Sequence, residues 1–116
     1  MRVIIRELIG FDDAISPDDG QKVFDLIHPE LSAGRTVELD FAGMEAFASP
    51  FFNAAIGQML RDLQPVDLNR LLRVANIRPA SDCTMRQVIQ NAERYYHDPD
   101  YRKALDQVLE TMAEDA

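Results

Sequence analysis

The apolar positions change period along the chain, and each change marks an element. Residues 2–9, Arg-Val-Ile-Ile-Arg-Glu-Leu-Ile, are rich in branched apolar side chains and short, which predicts a strand. Ser16-Pro17-Asp18-Asp19 then supplies a capping hydroxyl, a proline preset for a first helical turn, and acids matched to the positive end of a helix dipole. The helix that follows carries Val23, Phe24, Ile27 and Leu31 at helical spacing. Gly20 lies on the same stripe, where backbone can approach the sheet closely, and Pro29 and Gly34 are expected to close the helix.

Thr36–Phe41 alternates cleanly, with Val37, Leu39 and Phe41 on one face and Thr36, Glu38 and Asp40 on the other. That pattern predicts a strand with one buried and one wet face. A strand covered on both faces would read as a continuous apolar run. The expected architecture is therefore two-layer α/β: a small, mostly parallel or mixed sheet with helices mainly on one face, plus C-terminal helices.

A loop over residues 42–48 leads to Ser49-Pro50, a second cap-and-proline pair. Phe52, Ala55, Ile56, Met59, Leu60 and Leu63 then give the strongest helical period in the chain, which predicts a central core helix ended by Pro65. Gly57 inside it costs about 1 kcal/mol relative to alanine, which implies close approach by another element, internal or from a partner. Residues 70–75 predict a third strand. Past Pro79 the chain reads as helical: Ser81 and Asp82 can cap a helix with Met85, Val88, Ile89, Ala92 and Tyr96 on one stripe. Asp98-Pro99-Asp100 opens another, with Tyr101, Leu105, Val108, Leu109 and Met112 on its stripe. This order implies right-handed crossovers. It divides a single domain into an α/β core over residues 1–78 and a helical extension over 79–116 packed on that core.

Composition narrows the classes of partner. A chain of 116 residues, 47% apolar, holds one core. A net charge of −8 repels phosphate backbones and anionic lipid, so neither nucleic acid nor membrane is expected as a partner. The single cysteine, Cys83, forms no internal disulfide and suits a reducing cytoplasm. Only three apolar residues follow Met1-Arg2 before Arg6 and Glu7, so no secretory leader is expected. The apolar stretch 46–60 is interrupted by Ser49, Pro50, Asn53, Gly57 and Gln58 and reads as core rather than as a membrane span. Charge is uneven: residues 1–47 carry −6, residues 48–97 +2 and residues 98–116 −4. Arg61, Arg70, Arg73, Arg78, Arg86 and Arg94 therefore form either a solvated face with internal ion pairs or a docking surface for an acidic partner.

Candidate chemistry is sparse. His28, Cys83 and His97 have no metal-ligand spacing, the five glycines stand singly, and no Gly-x-Ser-x-Gly elbow occurs, so no metal and no cofactor are expected. Ser49 stands where a loop hands over to the central helix. A helix N-terminus there would stabilise a phosphate on its hydroxyl, and the simpler reading is a helix cap. Phe51, at the margin of the core stripe, is either a core-edge aromatic or an exposed anchor for a partner.

The run Gly34-Arg35-Thr36-Val37-Glu38-Leu39-Asp40-Phe41-Ala42-Gly43-Met44, followed by Phe47-Ala48-Ser49-Pro50-Phe51-Phe52-Asn53-Ala54-Ala55-Ile56-Gly57, resembles a family of small bacterial STAS-like domains of unknown function. Asp19-Gly20 likewise looks like that family's entry to its first helix, and the resemblance covers about residues 1–76. More distantly the arrangement is similar to the STAS anti-sigma-factor antagonists, which bind serine-kinase anti-sigma factors and switch partners when a serine is phosphorylated. Carried over by position, their Asp-Ser-Ser-Gly-like stretch falls on Ala48-Ser49-Pro50-Phe51, leaving Ser49 as the phosphoacceptor. The resemblance implies a non-enzymatic regulatory interaction module of bacterial cytoplasm. It would dock through Glu45, Phe47, Ser49, Phe51 and Asn53 onto a protein partner such as a histidine-kinase-like ATPase or an anti-sigma-type regulator. Two rivals stand beside it: a small enzyme using Asp40 as acid or base with Ser49, and a structural subunit that forms homo-oligomers through its C-terminal helices.

Overall fold

The computed structural model of the chain describes residues 1–98 together with Asp100, Lys103, Ala104 and Gln107. The first apolar run is not one strand. β1 is Arg2–Ile4, and the chain turns directly into α1, Ile5–Ile9. Ile5 and Ile9 are both buried and one helical turn apart, with Leu8 packed against the same core, so residues 5–9 carry a helical rather than an alternating period. Gly10, at φ 82, ends the turn.

β2 (Asp13–Ala14) precedes α2 (Pro17–Ser32). As expected, the Ser16 hydroxyl caps α2, accepting from the Asp19 amide at 3.2 Å, and Gly20, Val23, Ile27 and Leu31 are its buried residues. Pro29 lies inside the helix rather than at its end, and the chain leaves through Gly34 at φ 79. The close approach at Gly20 is to α3 (Ser49–Ala55), not to the sheet. A methyl group there would sit 2.8 Å from the Ala54 Cβ and press on the Phe51 carbonyl oxygen.

β3 (Val37–Asp40) is the centre of a three-stranded parallel sheet in the order β1-β3-β5, where β5 is Leu72–Ala75. The register places Val3, Leu39 and Val74 in one row, and Arg2, Glu38 and Arg73 in the next. Alternation therefore gives one apolar face, whose Val3, Val37 and Leu39 join the buried core, and one charged face. Asp40, assigned by its period to the wet face, is the exception at 3% exposure. A second, two-stranded parallel sheet pairs β2 with β4 (Ala46–Phe47); strands of two residues leave no period to read.

The central helix is also interrupted. α3 ends at Ala55; Ile56, which follows at φ −125, leaves the helical region, and a 3-10 turn continues over Gly57–Arg61. The apolar stripe survives the break, with Phe52, Ala55, Ile56, Met59 and Leu60 all buried. Gly57 faces inward to α5 (Pro79–His97), since a methyl group there would lie 3.5 Å from both Val88 and Ala92. Pro65 opens α4 (Pro65–Leu71), so Arg70 and Leu71 are helical and the third strand starts at Leu72. α5 brings Met85, Val88 and Ala92 into the common core, which makes this part of the 79–116 stretch integral to it. The second C-terminal stripe, Tyr101 to Met112, lies outside the described residues. Among the described residues no helix is long and apolar enough to cross a membrane.

Candidate functional site

Ser49 is not a helix cap. Ala48 takes that position, in extended conformation, and no side chain caps α3; Ser49 is the first helical residue and is exposed. Asn53, one turn on, is exposed too. The two residues line a surface groove of about 770 Å³ between α3 with its 3-10 continuation and α5. Thr84, Gln87, Asn91, Tyr95 and Tyr96 form the far wall, and Gly57, Val88 and Ala92 lie between. Among the described residues none that lines the groove is charged, although 28% of the chain is. The groove can therefore offer hydroxyl, carboxamide and phenol groups to an uncharged surface without desolvating an ion.

Of the other residues expected at this surface, Phe51 and Phe47 hold it up rather than face outward. Phe51 is 1% exposed, which removes it as a partner anchor. It packs edge-on to Phe52 at 5.5 Å and tilted to Phe47 at 6.0 Å. The half-buried Phe47 stacks on Phe52 at 5.3 Å, and Phe41 meets both. This aromatic cluster fixes the start of α3 and so the position of Ser49. Glu45 is exposed and accepts from the Arg78 guanidinium at 3.0 Å. Arg70 and Arg86 pair in the same way with Asp67 and Asp82, so at least three of the six middle arginines are held by internal ion pairs.

Two surface residues escaped the sequence reading. Phe11 is 68% and Ile15 49% exposed, on either side of β2. The Ala48 amide donates to the Ala14 carbonyl at 3.0 Å, which puts Ile15 and Ser49 on either side of one backbone hydrogen bond. The only signal for them in the sequence is two bulky apolar residues isolated in a loop rich in aspartate, on no periodic stripe.

Asp40 lies outside the groove that Ser49 lines, so the structure does not bring these two residues together. Its carboxylate accepts from the Asn76 amide at 2.9 Å, from the Ala42 backbone amide at 2.9 Å and from the Arg2 guanidinium. These donors, Asn76 foremost, hold its pKa down to about 2. A carboxylate stabilised this far as the anion is a poor proton acceptor at neutral pH. Among the described residues no group of three His, Cys, Asp or Glu side chains could hold a metal ion, and Cys83 is an exposed free thiol.

A family model described as a STAS-like domain of unknown function (DUF4325) matches residues 19–82, more than half of the chain. No curated protein and no solved structure gives a significant match.

Proposed function

The chain belongs to the STAS-like family whose function is unknown, and we propose that it acts as a non-enzymatic regulatory module of bacterial cytoplasm that docks a protein partner in the groove beside Ser49. The similarity to anti-sigma-factor antagonists supports a histidine-kinase-like ATPase or an anti-sigma-type regulator as that partner. One observation carries the reading: Ser49 is exposed, free of any capping role, and on the wall of a groove whose described lining carries no charge. A phosphate on its hydroxyl would add close to two negative charges where none of the described lining residues is a cation to pair them. A partner fitted to the neutral groove would then be expelled, while the fold would lose nothing it depends on. Asn53 and Gln87, on opposite walls, are the side chains best placed to read that partner.

The test is affinity capture from the source cell with the wild-type chain, Ser49→Asp, and the double variant Asn53→Ala with Gln87→Ala, alongside the intact mass of the native protein. A partner lost in both variants, with a phosphate-sized increment on the native chain, is the expected result. A partner retained by the double variant would overturn the groove as the docking site.

A further inference from the structure

The edge of β2 carries an independent surface on the far side of the Ser49 loop. In a parallel pair, each residue directs both its N–H and its C=O to the same neighbouring strand, and the next residue directs both away. The Asp12 and Ala14 carbonyls accept from the Glu45 and Ala48 amides, at 2.6 and 3.0 Å. Residues 12 and 14 thus face β4, and the N–H and C=O of Asp13 point outward. Among the described residues β2 pairs with β4 alone, so no described strand covers that edge.

What surrounds the edge has a definite chemical character. Phe11 and Ile15 are exposed large apolar side chains on either side of it. Asp12, Asp13 and Asp18 are exposed beside them, and none takes part in an ion pair among the described residues. The surface is therefore apolar, anionic and supplied with one unpaired main-chain donor and acceptor. An acidic segment or a nucleic-acid backbone would be repelled.

We propose that β2 takes, by strand addition, an extended segment of a partner protein that carries, on one strand face, a lysine or arginine flanked by apolar side chains. The apolar side chains cover Phe11 and Ile15, the basic one meets Asp13 between them, and the two main-chain bonds to Asp13 set the register. This docking mode does not depend on the groove, so either can fail alone.

The probe is a pool of synthetic octapeptides in which an apolar residue (Val, Ile, Leu or Phe) and a basic one (Lys or Arg) take turns at every second position, with Ser or Thr between them, titrated into the full chain near physiological ionic strength. A matched pool has Glu in place of each base. The basic pool should bind at least about tenfold tighter than the acidic one. Phe11→Ser with Ile15→Ser, both exposed and so without cost to the fold, should weaken it by about tenfold. Hydrogen exchange at the Asp13 amide should slow in the complex, a change that charge attraction alone does not produce. Failure of the basic pool to bind better than the acidic pool, an affinity unchanged in the double variant, or an Asp13 amide that exchanges as fast as in the free chain would each overturn the proposal.

Discussion

The side-chain amide of Asn76 donates to the Asp40 carboxylate at 2.9 Å from a backbone held at φ 58, the one non-glycine residue with positive φ among those described. Arg2 reaches the same carboxylate from β1, and the Ala42 amide reaches it from the residue but one after β3. Asp40 therefore ties together all three strands of the larger sheet at one buried point. Its place on the charged face is explained by these donors, since a buried carboxylate is stable only when its oxygens are satisfied.

Removing that knot should cost more than a surface ion pair would. Asp40→Ala leaves the Asn76 amide and the Ala42 N–H without an acceptor near a 3% exposed site, and is expected to destabilise by about 2–3 kcal/mol. Asn76→Ala should cost about 1–2 kcal/mol: it leaves two donors on the carboxylate in place, but alanine tolerates φ 58 less well than asparagine. Urea denaturation at neutral pH checks both. A loss below about 0.5 kcal/mol for Asp40→Ala would mean that solvent reaches the carboxylate.

The same carboxylate sets an acid limit. Its pKa in the folded chain is about 2, below the ordinary aspartate value, so the unfolded chain takes up its proton first as pH falls. The stabilisation is complete above about pH 4 and is lost as pH drops through about 2, amounting to about 2 kcal/mol. Asp40→Asn cannot titrate, so its stability should fall less steeply across that window than the wild type's. Equal slopes would show that other carboxylates carry the acid sensitivity.

What was legible in the sequence was what periodicity encodes over many residues. Val23, Ile27 and Leu31 announce α2, and Val37, Leu39 and Phe41 announce β3. Short elements were not legible: β2 and β4 are two residues each, and Ile5 and Ile9 mark a helix of five that a window of eight branched residues hides. Long-range satisfaction was not legible either. Asp40 has the sequence position of a solvated acid, and only the folding of Arg2 and Asn76 onto it makes burial affordable. At the site, Ser49 and Asn53 are exposed, whereas Phe51 is turned inward against Phe47 and Phe52, a meeting no local pattern records.

Gly20 offers a test in which two effects have opposite signs. Alanine is intrinsically the better helix residue by about 1 kcal/mol, so helix propensity alone predicts that Gly20→Ala stabilises α2. The added methyl group would, however, meet the Phe51 carbonyl, the Ala54 methyl at 2.8 Å and the Ala55 nitrogen at 3.1 Å. Two of these are backbone and cannot rotate away. Overpacking of this kind costs about 1–3 kcal/mol, so the net effect should be destabilising, and thermal unfolding should show a lowered Tm. A raised Tm would mean that α2 and α3 can separate without loss.

The two Ser-Pro pairs look alike in the sequence and should behave differently when the hydroxyl is removed. Ser16 accepts the Asp19 amide and starts a helix of sixteen residues, so Ser16→Ala should destabilise by about 1 kcal/mol. Ser49 makes no capping bond, and Ala48 has already taken the cap position, so Ser49→Ala should fall within about 0.5 kcal/mol of wild type. Chemical denaturation of both variants under one buffer decides the comparison. If Ser49→Ala costs as much as Ser16→Ala, the hydroxyl is structural, and any effect of Ser49→Asp on partner capture would have to be read as damage to the fold. If it costs nothing, Ser49 is free to carry a charge whose only consequence is at the groove.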